Sequence, residues 1–181
     1  MLKMSVLEAI TTRRSVRSFS DLQIADEDAK RILDAARLAP SGGNLQRWGF
    51  VYVKDRQVLR MIKNCSPGFY GNATAAIIIG IDVETDPYGS TSYGQVRVMD
   101  VGFAAENILL AAHSLGLGGC AIASFNEACV SRVINAPNNW RPMLIIALGY
   151  PDKQPQMPKK KSLSEIVYID EYGKNWSAME G

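Results

Sequence analysis

Histidine is almost absent from this chain of 181 residues, which contains only His113. A Ser–His–Asp or Cys–His hydrolytic centre would have to use that residue as its base. Most transition-metal sites would also need it as a ligand. A lone histidine in a long apolar stretch is more often a core or interface residue, so we predict no catalytic side chain and no metal site here. If the chain is an enzyme, a bound cofactor is expected to supply the chemistry.

Cysteine is also scarce, and Cys65, Cys120 and Cys129 form no CxxC pair. An odd number of widely spaced cysteines fits poorly with a disulfide framework and with a cysteine-ligated zinc or iron–sulfur site. We therefore expect three reduced thiols in a cytoplasmic protein.

Long apolar runs and an excess of charge are lacking too. The longest weakly charged stretch, residues 102–125, contains Glu106, Asn107 and several glycines, which a membrane span would rarely carry. Residues 1–5 lead into a polar amphipathic segment rather than the apolar region of a signal peptide. The formal net charge of +2 is far from that of a nucleic-acid binder. We expect neither membrane nor nucleic acid as a partner.

Signals for helices and strands, by contrast, alternate along the whole chain. Its length favours one domain over residues 1–181. Ser5 and Glu8 form a capping box that begins a first helix. Further helices are predicted over residues 26–39, 55–64, 98–115 and 126–134, and strands over residues 50–53, 75–81, 120–123, 143–149 and, at an edge, 166–169. The pattern indicates a mixed α and β chain with a central sheet between helices.

The helix over residues 98–115 is apolar on most of its sides. One face follows spacings of three and four through Val98, Val101, Ala105, Ile108, Ala112 and Leu115. Phe103 and Leu109 make other faces apolar as well. Such a helix is central to a fold or lies in a subunit interface.

Three arginines and a serine occur within five residues at Arg13-Arg14-Ser15-Val16-Arg17, with no acidic residue among them. The planar guanidinium group matches the geometry of phosphate. A phosphate monoester carries about 1.5 to 2 negative charges at neutral pH, so several cations around it are expected. A solvated basic turn would have the same composition, and the motif alone leaves both interpretations open.

A second polar segment is the Pro-Ser-Gly-Gly-Asn-Leu-Gln loop at residues 40–46. Its two glycines would let the backbone approach a flat ligand. Ser41, Asn44 and Gln46 offer both donors and acceptors. An ordinary helix-to-strand loop would also look like this. The lysines at residues 159–161 are typical of a solvated tail unless the tail folds back onto a phosphate site.

Together these segments resemble the nitroreductase family of FMN-dependent oxidoreductases. The resemblance runs in order through RRSVRSF at residues 13–19, APSGGNLQ at 39–46 with Trp48, DVG at 100–102, ENILLAA at 106–112, LGLG at 115–118 and ALGYP at 147–151. It implies an α+β fold, a mixed α/β sandwich in which helices flank a central, mainly antiparallel sheet. It also implies an intertwined homodimer with FMN at the subunit interface.

The same resemblance implies which residues bind the cofactor. In the family the opening arginines and serine hold the FMN phosphate and the flavin pyrimidine edge, and the Pro-Ser loop lies over the flavin. The strand after the long helix passes the flavin ring with its backbone, and a basic tail residue reaches the phosphate. The implied cofactor-binding residues are Arg13, Arg14, Ser15, Arg17, Pro40, Ser41, Asn44, Gln46, Ala121, Ile122, Ala123 and Lys160.

The implied activity is NAD(P)H-dependent reduction of an electron-poor acceptor, such as a nitroaromatic or a quinone, by ping-pong hydride transfer. Two departures from the family pattern are Arg47, where proline is usual, and lysines in the tail, where arginine is common. Two alternatives stay open, and these departures motivate the second of them. One is a specialised enzyme of the same fold, such as a dehalogenase or a flavin-fragmenting enzyme. The other is a flavin-binding store or sensor with low turnover.

Overall fold

The computed structural model describes residues 4–83 and 92–176, and the side chains within these ranges except those of residues 92–96. In chain order the elements are α1 (Val6–Thr12), α2 (Asp26–Arg37), a 3-10 turn (Gly42–Asn44), β1 (Trp48–Val53), α3 (Arg56–Asn64), β2 (Ala75–Asp82), α4 (Ser92–Ser114), β3 (Gly118–Ile122), α5 (Glu127–Val133), β4 (Trp140–Gly149) and α6 (Leu163–Ile166). Helices and strands are mixed along the chain, as the sequence predicts.

The strands form one sheet in the order β1-β2-β4-β3, and all three neighbouring pairs are antiparallel. This confirms the expected antiparallel sheet. The two central strands meet through fully buried isoleucines, with Ile77 opposite Ile146 and Ile78 opposite Ile145. Strands covered on both faces need apolar side chains at successive positions, which explains the unbroken isoleucine run of β2.

Helices cover both faces of the sheet, and the run Ile77-Ile78-Ile79 supplies both cores. Ile77 and Ile79 pack with the buried residues of α2 and α4, while Ile78 packs with those of α3 and α5. Alternate side chains of a strand point to opposite faces, so one uninterrupted sequence serves two layers. The long helix α4 lies mostly against the core that contains Ile77 and Ile79, where Ile108 is fully buried.

Side-chain caps begin three of the helices at the positions that the sequence indicates. Ser5 and Glu8 form the capping box of α1. The Asp55 carboxylate accepts from two backbone amides of α3, and the Asn126 side chain accepts from Cys129 N in α5. These contacts satisfy backbone N–H groups that have no partner inside the helix.

The prediction of an edge strand over residues 166–169 is wrong, because no strand forms there. Leu163–Ile166 is the short helix α6, and Tyr168 makes only an isolated bridge to Asn175. The reason is a capping box formed by Ser162 and Glu165, which stabilises a helical turn at this point.

The expectation of three reduced thiols is also wrong. A disulfide joins Cys65 to Cys129, whose Cα atoms lie 5.8 Å apart, while Cys120 is a buried free cysteine. Cys65 ends α3 and Cys129 lies in α5, and both helices pack on the same side of the sheet. The two cysteines are 64 residues apart in sequence, so only the packing of the helices brings them together.

No helix within the described parts of the chain combines the length and hydrophobicity needed to cross a membrane.

Candidate cofactor site

The arginine-rich segment, residues 13–20, runs along the edge of the sheet beside β3. Val16 N donates to Gly119 O at 3.0 Å, and Ser20 N donates to Tyr150 O at 2.8 Å. Val16 and Phe19 are buried, whereas Ser15 and Arg17 are exposed. Because successive side chains of an extended chain alternate in direction, the buried anchors turn the polar residues outward.

A turn before β2 holds the same segment from its other side. The Asn72 side chain accepts from Phe19 N at 3.1 Å and donates to Phe19 O at 2.6 Å. Gly71 has a φ of +80°, and a Cβ there would overlap the carbonyl oxygen of Arg17. Sequence reasoning missed both residues, although a Gly-Asn pair is a common turn signal.

The segment and the C-terminal tail enclose a cavity of about 380 Å³. Its lining residues are Arg13, Arg14, Ser15, Arg17, Pro155, Gln156, Pro158 and Lys160. The tail therefore folds back, and Lys160 is the residue of the lysine run that reaches the cavity. The lining carries four cationic side chains, one hydroxyl group and no carboxylate. This donor set fits a phosphate group.

Two of the arginines have defined contacts of their own. Arg14 Nη1 donates to Thr11 O at 2.8 Å and to Arg13 O at 2.6 Å, which holds the guanidinium against the end of α1. Arg13 Nε lies 3.5 Å from Glu106 Oε1 on α4. That ion pair is partly exposed, so it contributes at most about 1 kcal/mol and acts mainly to orient Arg13.

The loop at residues 40–46 does not line this cavity. Ser41 Oγ accepts from Gln46 N at 3.0 Å, and Gly42 N donates to Asp100 Oδ1 at 3.1 Å. Asp100 lies on α4 and is buried, so the helix holds the loop through one carboxylate. A buried acid within an apolar helix signals such a partner, because a buried polar group requires one.

The same loop has an unusual backbone. Gly43, Asn44 and Gln46 all have positive φ, at 58°, 54° and 49°. Asparagine tolerates this conformation, but glutamine adopts it rarely and at a cost in free energy. Strained residues of this kind cluster at ligand sites.

The third predicted group, residues 121–123, lies at the end of β3. Ala121 and Ala123 are exposed, whereas the Ile122 side chain is buried in the core beside α3 and α5. Ile122 can therefore present only main-chain atoms to a ligand. Since Ser15 forms a bridge with Gly119, the structure brings this strand beside the arginine segment.

His113 contacts the residue that precedes the arginine-rich segment. Its Nε2 lies 2.8 Å from Thr12 Oγ1, directly before Arg13. The Thr12 hydroxyl donates to Glu8 O, so the ring nitrogen acts as the donor to Thr12. Burial lowers the pKa of His113, and the charges of Arg13 and Arg14 lower it further.

We predict that this histidine makes the protein less stable in mild acid. Its folded-state pKa lies below the ordinary value of 6.5, so the unfolded chain binds the proton more tightly. The free energy of unfolding should fall as the pH drops below 6.5 and through the lower folded-state pKa. Urea denaturation at a series of pH values measures this. His113→Gln should reduce the slope in that interval, and an unchanged slope would contradict the assignment.

Asp100 is expected to hold the loop at residues 40–46 in place. Asp100→Ala removes the acceptor of Gly42 N–H and should cost about 1–3 kcal/mol in the free energy of unfolding. Hydrogen exchange at the Gly42 amide should become faster. Asp100→Asn keeps an acceptor oxygen and is the matched control. Equal exchange at Gly42 in the wild type and in Asp100→Ala would show that the contact does not hold the loop.

Comparison with known proteins gives one consistent result. The sequence model of the Nitroreductase family matches residues 10–66 and 54–150. An Archaeoglobus fulgidus protein, provisionally named NADH dehydrogenase/NAD(P)H nitroreductase, is 40% identical over 154 residues, which cover 80% of this chain and 84% of the relative.

Solved structures agree with the sequence comparison. An FMN-dependent nitroreductase from Clostridium difficile R20291 has a TM-score of 0.81 at 28% identity, covering 92% of this chain and 99% of its own. The NADPH:FMN oxidoreductase of Vibrio harveyi, complexed with NAD+, has a TM-score of 0.83 at 27% identity, covering 92% of this chain and 77% of its own. From its sequence match, its fold and its arrangement of motifs, the chain belongs to the nitroreductase family.

Proposed function

We propose that this protein reduces an electron-poor organic acceptor, such as a nitroaromatic or a quinone, in a ping-pong cycle. As a family member it is an NAD(P)H-dependent flavin oxidoreductase with FMN as its cofactor. When bound, FMN would supply the hydride-transfer chemistry between NAD(P)H and the acceptor. The observation that carries the proposal is the cavity in which Arg13, Arg14, Arg17 and Lys160 surround one space.

The cavity would receive the phosphate end of the cofactor. A phosphate monoester has about 1.5 to 2 negative charges, and the lining offers four cations and contains no carboxylate of its own. Arg14 is already held by two carbonyl groups, and Arg13 by Glu106. Little side-chain entropy remains to be lost there on binding, which favours affinity. Arg17 and Lys160 are exposed and would complete the phosphate contacts.

The remaining predicted residues would hold the flavin ring of FMN. We assign the loop with Pro40, Ser41, Asn44 and Gln46 to the flavin ring, because its polar groups and constrained backbone suit a planar heterocycle. The backbone of residues 121–123 would pass along the ring from the β3 side. The proposed reaction requires no side chain to act as an acid or a base. The protein contributes position and electrostatics.

The absorption spectrum of the purified protein tests the proposal. We expect the bands of oxidised flavin, and their rapid bleaching by NADH or NADPH without an acceptor. Adding a nitroaromatic or a quinone should then restore the bands. A colourless protein that takes up no added FMN would refute the proposal, and bound flavin that bleaches only slowly would favour the store or sensor.

The phosphate cavity is tested by FMN titration, which does not depend on activity. Arg17→Ala and Lys160→Ala should each weaken FMN binding by about tenfold or more, since each removes one charge-assisted contact. Lys161→Ala is the matched control, because Lys161 is adjacent in sequence but does not line the cavity. Equal losses for Lys160→Ala and Lys161→Ala would indicate general electrostatics rather than a defined contact.

We further propose that two copies of the chain form a homodimer through α4 and α1. Val98, Met99 and Phe103 on α4 are about half exposed, and Val6 and Leu7 on α1 are more exposed still. Apolar surface of this kind is typical of an interface. The dimer is expected to bring the two cofactor sites to the interface, as the family resemblance implies.

Phe103→Asp should shift the protein from twice its chain mass of 19.8 kDa towards the monomer, because the carboxylate would be buried in the interface. Sedimentation velocity measures the shift. Met61→Asp is the control, since Met61 on α3 is similarly exposed. A wild-type protein that sediments as a monomer would contradict the proposal.

A cytoplasmic location stays a prediction. The disulfide between Cys65 and Cys129 is uncommon in a reducing compartment.

A further inference from the structure

A second cavity combines cationic side chains with an apolar floor. It has a volume of about 230 Å³ and lies between α3 and the turn that leads into β2. None of the residues assigned to FMN lines it. The function proposed above does not use it.

The cations of this cavity come from one face of α3. Arg56, Arg60 and Lys63 are spaced by four and three residues, so their side chains lie on the same side of the helix. Lys63 Nζ donates to Gly71 O at 2.6 Å, and both residues line the cavity. Neither Arg56 nor Arg60 takes part in the six ion pairs formed between described residues.

The charges of the lining favour an anion. Arg56, Arg60 and Lys63 contribute three positive charges and Asp21 contributes one negative charge, which leaves a net charge of +2. That value matches the charge of a phosphate monoester, about 1.5 to 2 negative charges at neutral pH. Guanidinium groups can also bind phosphate through two parallel hydrogen bonds.

The floor of the cavity favours an organic ligand over a simple ion. Leu59 and Phe69 are buried beneath the cations, and Ala73 adjoins them. A dry apolar cavity of about 150 Å³ is large enough for benzene. The volume here would therefore hold one ring together with a phosphate group.

We infer that this cavity binds a small organic phosphate monoester, with its phosphate at Arg56 and Arg60 and its apolar part against Phe69. The site is separate from the cofactor cavity. Its ligand would touch Gly71 and Asn72, the residues that hold the arginine-rich segment from the opposite side.

Phenyl phosphate is the probe for this inference. It is titrated into uniformly ¹⁵N-labelled protein to which FMN has been added to saturation, and the amide signals are followed by NMR. We expect the amide signals of residues 69–74 to shift on addition of phenyl phosphate. Inorganic phosphate should bind there at least about tenfold more weakly than phenyl phosphate, because it leaves the apolar floor uncovered.

The double substitution Arg56→Ala and Arg60→Ala should weaken phenyl phosphate binding by about tenfold or more. Both side chains are exposed, so the fold should be retained. Arg132→Ala is the matched control, since Arg132 is an exposed arginine on α5 outside this cavity.

Three results would overturn the inference. Shifts confined to the amides of residues 14–17 would mean that phosphate enters only the cofactor cavity. Equal affinity for inorganic phosphate and phenyl phosphate would show that the apolar floor does not contribute to binding. Arg132→Ala removes one positive charge and the double substitution removes two. A loss of binding free energy for Arg132→Ala at least half as large as that for the double substitution would therefore reduce the effect to overall charge.

Discussion

The attachment of the arginine-rich segment to the edge of the sheet is the constraint on which the cofactor site depends. Val16 N bonds to Gly119 O, and Phe19 is fully buried while Asn72 satisfies both of its backbone groups. The segment thus behaves as a short extra strand although it belongs to no long ladder. Its anchors are apolar and its free side faces solvent, which gives Ser15 and Arg17 a fixed direction.

Helix α4 connects this edge to the rest of the molecule. Its apolar residues form part of the core on one face of the sheet, and the burial of their surface stabilises the fold. Three of its polar residues reach different parts of the site: Asp100 holds the Ser-Gly-Gly loop, Glu106 orients Arg13, and His113 contacts Thr12. One rigid helix therefore keeps several segments in register, and local strain in the loop can be supported by a packed core.

Local signals accounted for much of the fold. Ser5, Asp55 and Asn126 cap helices where the sequence indicates, because capping depends on residues within one turn. The edge strand predicted around Tyr168 does not form, because the capping box of Ser162 and Glu165 begins a helix just before it. The pairing of Cys65 with Cys129 depends on two helices that meet only in the folded protein, so their spacing in sequence carried no signal.

For the candidate site, the sequence by itself determined the chemistry: a cluster of arginines, a polar glycine loop and a lysine tail in a chain with one histidine. Residue types and their order along the chain are enough for that. The family resemblance already implied Lys160, but only the tertiary structure decided that the tail folds back so that Lys160 shares one cavity with Arg13, Arg14 and Arg17. It also decided that Asn72 and Asp100 hold the surrounding segments. These contacts join residues tens of positions apart, and their geometry is set by packing across the sheet rather than by local sequence.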